Sequence, residues 1–256
     1  MIKKTSKKAL FEIDKIYNED CLKTLDKLPD DSIDIVITSP PYNMNLRIRN
    51  GKYTSRQIVK ELTTKYKNFD DNLPIDDFYA LHSKILNELL RTSRRIFYNI
   101  QIVTGSKRAF FKMIGEFNEF LKDIVIWDKG HAEPAIRDGV MSRRTELVLI
   151  FEKEYPISRR FEDANFKRGT LQDIWHIKRE RNKTGVHGAT FPQELVQTIL
   201  SNFSNKGDIV YDPFMGTGTT ALVAKLMGRK YLGSEIDKDY YKASKKRIKE
   251  FTSLID

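Results

Sequence analysis

Apolar positions recur along this chain in two periods. Ile33-Asp34-Ile35-Val36-Ile37-Thr38 is a short, almost continuous apolar run that stops against Pro40-Pro41, as a buried strand would. Between Asp76 and Arg94 the spacing changes to that of a helix. Phe78, Leu81, Ile85, Leu86 and Leu89 share one face, and Arg91, Arg94 and Arg95 stand near its end, where the helix dipole favours cations. Asp70 and Asp71 are expected in its N-cap region. Further strands are predicted over Ile96–Ile100, Asp123–Trp127, Glu146–Phe151, Asp208–Asp212 and Lys230–Glu235. Helices are predicted over 107–121, 192–203, 218–227 and from about Asp239, with Pro192 at a favoured helix start. Strands alternating with helices predict an α/β layer fold.

Two segments fit neither period. Residues 43–72 are polar and basic, long enough to predict a mobile loop. Residues 153–185 mix charge with isolated aromatics (Tyr155, Phe161, Phe166, Trp175, His176) and read as a recognition insert rather than core. Charge sharpens both readings. The 256 residues carry 45 Lys+Arg against 35 Asp+Glu, a net +10, and the excess clusters. Residues 47–67 hold seven basic side chains against one acid, and 153–183 hold nine against five. Such clusters suit an anionic partner. The length predicts one domain over 1–256. The absence of an ~18-residue apolar run and of an apolar leader predicts a cytoplasmic protein with no membrane partner. Cys21 is the only cysteine, and no His/Cys/carboxylate cluster suggests a metal.

Chemistry concentrates in two motifs. Asp212-Pro213-Phe214-Met215-Gly216-Thr217-Gly218-Thr219-Thr220 follows the strand Ile209-Val210-Tyr211. A glycine turn between strand and helix lets a ligand approach the backbone, and Glu235, 23 residues beyond Asp212, is placed to grip ribose hydroxyls. A third glycine and a Gly-Lys-Ser/Thr are both missing, which disfavours a pyrophosphate or triphosphate. A ribose-bearing ligand with a small charged tail, such as S-adenosylmethionine, fits better. The second motif is Thr38-Ser39-Pro40-Pro41-Tyr42-Asn43. Two prolines remove two donors and leave carbonyl acceptors beside a hydroxyl and an aromatic ring. That set suits a planar base with an exocyclic NH₂.

Together the motifs resemble the DNA amino-methyltransferases, which act on N4 of cytosine or N6 of adenine. Ser39-Pro40-Pro41-Tyr42 matches the family's catalytic tetrapeptide and Asp212–Thr220 its cofactor loop. The tetrapeptide precedes the cofactor loop by 173 residues, an order similar to the circularly permuted β group. The resemblance implies a Rossmann-like, seven-stranded, mostly parallel sheet with helices on both faces, and S-adenosylmethionine as cofactor. It also places Asp20 and Cys21 near the cofactor adenine and Phe191 and Pro192 near the methionine end, Gly188 standing where the family usually has proline. Pro213, Phe214, Gly216, Thr217, Gly218 and Thr219 join them as cofactor residues.

The implied partner is double-stranded DNA, alone or with a cognate restriction endonuclease, the enzyme being a monomer or homodimer. Candidate DNA contacts are Arg47, Arg49, Arg143, Arg144, Arg159, Arg160, Lys167, Arg168, Lys178, Arg179 and Arg181. Trp127, Asn99 and Gln101 are candidates for the base pocket, and His131 and His187 are read as contact or loop residues. Ser at the first tetrapeptide position is associated in the family with N4-cytosine. N6-adenine, an RNA substrate or a non-catalytic nucleic-acid-binding role are the alternatives. Methylation at cytosine C5 needs a thiolate in a Pro-Cys pair, and Cys21 follows Asp20.

Overall fold

The computed structural model describes residues 11–44, 46–49, 52–55, 72–132, 138–154, 156–180 and 191–252. An eight-stranded sheet forms the centre. Across it lie β1 (Lys15–Tyr17), β10 (Lys230–Ser234), β9 (Ile209–Asp212), β2 (Ile33–Thr38), β5 (Ser93–Ile100), β7 (Thr145–Glu152), β6 (Leu121–Asp128) and β8 (Ile174–His176). Only β7 runs antiparallel to its neighbours. The count exceeds the expected seven because β8, inside the predicted insert, pairs with β6 over Ile126↔Ile174 to Asp128↔His176. Neither β8 nor β1 is longer than three residues, too short for a period-two pattern to register.

Side chains alternate between two buried layers, as strand geometry dictates. Ile35, Ile37, Phe97, Val148, Ile150 and Val210 point to the layer covered by α4 (Gln193–Phe203), α5 (Thr219–Leu226) and α6 (Lys238–Thr252). Val36, Tyr98, Leu149, Phe151 and Tyr211 point to the other, covered by α1 (Cys21–Lys27), α2 (Ile75–Thr92) and α3 (Lys107–Glu116). Helices on both faces are what near-continuous apolar parallel strands require.

Several local expectations change. Helix α2 ends at Thr92, so Arg94 and Arg95 belong to β5, not to a helix end. Arg95 is buried and ion-paired with Glu152, which also receives Lys122 at 3.3 Å. The N-cap of α2 is Pro74, without a side-chain cap, while Asp70 and Asp71 lie outside the described residues. In the basic segment, β3 (Leu46–Arg49) and β4 (Lys52–Ser55) form an antiparallel hairpin, and 56–71 lie outside the described residues. Three of the insert's aromatics turn inward: Phe161 and Phe166 stack edge-on against Phe203 of α4, and Trp175 is buried in the core, whereas His176 is exposed and Tyr155 lies outside the described residues.

Parallel β2, β9 and β10 bring Ser39, Asp212 and Glu235 to the same edge of the sheet. From β2 the chain crosses through α2, and from β9 through α5 on the opposite face, so a crevice opens between these neighbouring strands. Asp212 clasps it. Its Oδ1 accepts from Thr38 Oγ1 at 2.9 Å and Phe214 N at 3.0 Å, and its Oδ2 accepts from Thr220 Oγ1 at 2.7 Å. Asp212→Ala strands three donors, two of them buried, at a cost of about 3 kcal/mol. Thermal unfolding at neutral pH should therefore show a Tm lower by roughly 6–12 °C for a chain of this size. An unchanged Tm would mean that the clasp holds nothing.

Candidate active site

Both sequence motifs open into one cavity of about 500 Å³ at the carboxyl ends of the parallel strands. On one side Ser39, Pro41 and Tyr42 follow β2. On the other, Asp212–Thr217 and Thr219 follow β9, with Glu235 at the end of β10. Asp20, Cys21 and Phe191 complete the predicted lining. Asp20 also caps α1, accepting from Leu22 N at 2.8 Å. Thr219 receives Arg247 Nη1 at 2.9 Å, a contact that ties the loop to α6. Three predicted residues stand outside the wall. Pro40 is buried, and Pro192 is the N-cap of α4. Gly218 has φ +82°, and a Cβ there would sit 2.8 Å from Ser244 Cβ. Close packing of α6, rather than ligand approach, is what demands glycine at that position.

Glu235 organises the glycine turn. Its Oε2 accepts from Gly216 N at 2.7 Å and its Oε1 from Asp237 N at 2.8 Å. Burial nevertheless raises its carboxyl to about 7. Burial likewise raises Asp212 to about 6 and pushes the Cys21 thiol up to about 12. A thiol held neutral in this way is a poor nucleophile at neutral pH. Among the described residues, seven carboxylates (Glu19, Asp20, Glu146, Glu180, Asp212, Glu235 and Asp237) line the cavity, against the single cation Arg179. In a chain of net charge +10 this lining repels polyphosphates and suits a cationic ligand.

The base-pocket candidates Asn99, Gln101 and Trp127 all reach the cavity. Trp127 is fixed by its Nε1 donating to Ile177 O at 2.7 Å, and it meets Phe191 edge-on. Ser39 Oγ and Tyr42 Oη lie 2.6 Å apart. Asn99 Nδ2 donates to Tyr42 Oη and to Glu146 Oε2, both at 2.7 Å. Glu146 is the residue that sequence reasoning missed. Its only signal was a carboxylate opening the otherwise apolar strand Glu146–Phe151. Asp237, also missed, caps α6 through Asp239 N and Tyr240 N.

The predicted DNA contacts divide between the two ends of the sheet. Strand β7 begins at the cavity end, which places Arg143 and Arg144 there. Arg144 is held in a two-pronged pair with Asp128 at 2.5 Å per bond, which keeps the Asp128 carboxyl well below its usual range. Lys178 and Arg179 follow β8 and are exposed at the same end. Arg160 lies at the opposite end, beside Glu162, whose carbonyl accepts from Arg94 and Arg95 at the start of β5. Arg159 goes with it, and Lys167 and Arg168 follow Phe166 in an exposed turn on that side. Arg47 and Arg49 fall on β3, just beyond the tetrapeptide. Arg181 and His187 are outside the described residues, and His131 is exposed beyond β6.

Comparison with known proteins agrees with this fold. The chain is 28% identical over 263 residues to the type II methyltransferase M.BglII of Bacillus subtilis, covering 89% of this chain and 67% of that protein. Its fold is similar to that of the PvuII DNA methyltransferase (cytosine-N4-specific), with TM-score 0.69, 18% identity and coverage of 91% of this chain and 85% of that one. A solved M1.HpyAVI–SAM complex aligns with TM-score 0.61 and 22% identity over 91% of this chain and 98% of that one. Residues 33–246 match the N6/N4 DNA methylase family. The chain belongs to that family, the DNA amino-methyltransferases that use S-adenosylmethionine.

Proposed function

We propose that this enzyme methylates the exocyclic N4 of a cytosine swung out of a DNA duplex. One observation carries the reading: the Ser39–Tyr42 hydroxyl pair and a carboxylate-lined glycine turn face each other across a single cavity. The lining fits S-adenosylmethionine. Glu235 would hold the ribose hydroxyls, Asp20 and Cys21 would flank the adenine, and Phe191 would sit beside the methionine portion. The acidic wall offers complementary charge to a sulfonium and an ammonium. When bound, the cofactor supplies a methyl group on a positively charged sulfur.

The chain's own work is done on the base. An aromatic amino nitrogen has its lone pair conjugated into the ring and is a poor nucleophile. Ser39 Oγ and the Pro40 carbonyl would accept its two hydrogens, concentrating the lone pair on nitrogen. Those bonds strengthen as positive charge develops there, so they favour the transition state over the ground state. Tyr42 and Trp127 would face the ring and offset the stacking lost on extrusion, itself a cost of a few kcal/mol. The cytosine-N4 specificity in the name of the structural relative supports the choice of base. The type II names of relatives support a modification role beside a restriction endonuclease.

The direct test is expression in a methylation-deficient host, followed by mass spectrometry of nucleosides from its DNA, with a Ser39→Ala/Tyr42→Ala variant as blank. N4-methylcytosine is expected. N6-methyladenine alone would replace the base while keeping the site, and neither product would remove DNA as the substrate. DNA affinity tests the placement of charge. Arg143→Glu with Arg179→Glu should weaken binding and lower the salt slope by about 2, whereas Arg159→Glu with Arg160→Glu should leave both nearly unchanged. Cofactor affinity tests Glu235. Holding ribose hydroxyls calls for the carboxylate, and the free group takes up a proton below about 7. Calorimetry should show affinity falling on acidification, approaching tenfold per pH unit below about 6, and Glu235→Gln should bind more weakly without that slope.

A further inference from the structure

Methylating an amino nitrogen leaves it positively charged, with one proton too many. Behind Ser39 the structure has a route for that proton. Asn99 is fully buried, and its Nδ2 gives hydrogens to both Tyr42 Oη and Glu146 Oε2 at 2.7 Å. Turning the amide over would set its oxygen against a carboxylate, so this orientation persists even though Oδ1 has no partner among the described residues. With Asn99 donating to it, the Tyr42 oxygen acts as an acceptor. The Tyr42 hydrogen is then available to Glu146 Oε2 at 3.3 Å, and the Ser39 hydroxyl can donate to Tyr42 across 2.6 Å. Ser39 Oγ also accepts from Asn99 Nδ2 at 3.4 Å, and Ser39 borders the cavity. Glu146 Oε1 is held by Lys129 Nζ at 2.9 Å, and both side chains are almost wholly buried.

We propose that Ser39, Tyr42 and Glu146 form a one-way proton relay that discharges the methylated amine. The N–H bond breaks, its electron pair returns to nitrogen, and the proton passes to Ser39 Oγ. The Ser39 proton moves to Tyr42 and the Tyr42 proton to Glu146 Oε2, leaving a neutral carboxylic acid. One positive and one negative charge vanish together, and no other reactant is needed. Lys129 supplies the counter-charge that lets Glu146 wait as a carboxylate in a buried place. Glu146 acts through Tyr42 and Ser39, without touching the base. The proposal rests on the amino-methyltransferase reading above.

The test compares Glu146→Gln, Tyr42→Phe and their combination with wild type in single-turnover methylation of duplex DNA. Each single variant should be slower by about 10²–10³-fold. Cofactor affinity by calorimetry, and base extrusion followed by 2-aminopurine fluorescence, should remain within about twofold of wild type. The double variant should be no slower than the worse single one, since both break the same chain. Glu146→Asp should recover part of the rate. A Glu146→Gln rate within threefold of wild type would overturn the relay alone. Additive losses, or losses confined to affinity or extrusion, would show a structural role and overturn it as well. A wild type that methylates no DNA would remove the parent reading and the relay with it.

Discussion

A carboxylate shared between two strands governs the architecture of this site. Asp212 ends β9, yet its partners come from β2, from the turn that follows it and from the first residues of α5. Parallel strands alone would bring the tetrapeptide and the glycine turn to one edge of the sheet, because register is set along the whole strand. They would not fix the separation of the two loops to fractions of an ångström, which group transfer requires. Three hydrogen bonds to one buried side chain supply that fixity. The cost is visible in the carboxyl itself, which burial raises to about 6 despite its donors. The clasp is therefore under electrostatic strain at neutral pH, and it holds because two of its three partners are themselves buried and have few alternatives.

Much of this arrangement was legible in the chain. Long strands such as Ile33–Thr38 and helices such as α2 announce themselves by period, and the two motifs by residue types that few other settings demand. What escaped notice has a common physical origin. A three-residue strand has no measurable period, so β8 hid inside a stretch read as an insert. Arg95 looked like a helix-terminal cation, but its partner Glu152 is 57 residues away, a pairing visible only when β5 lies against β7. Gly218 looked like a ligand-facing glycine until the approach of Ser244 from α6 became visible. Glu146 carried no motif at all. Its meaning comes from Lys129, Asn99 and Tyr42, three residues from three other elements.

Charge is partitioned in a way that net composition hides. A chain with ten excess positive charges surrounds a cavity walled by carboxylates. The exterior at the cavity end carries Arg143, Lys178 and Arg179, while Arg160 sits at the far end of the same sheet. Basic residues drawn from one continuous insert thus end up about a strand length apart. On the proposed reading, the two signs would serve two ligands of opposite charge at one opening: a polyanion held outside and a small cation held within.

Strand β8 has a further consequence, concerning how such an enzyme can change over evolutionary time. The segment before it is anchored at one end by the carbonyl of Glu162 on Arg94 and Arg95, and at the other by pairing with β6. Between those anchors, chain can lengthen at small entropic cost, since closure of a flexible loop depends only weakly on its length. The residues after β8 still emerge at the cavity rim in the same register. Insertions there would reshape the outer surface and leave the chemistry in place, so this stretch can diverge while Ser39, Asp212 and Glu235 stay fixed.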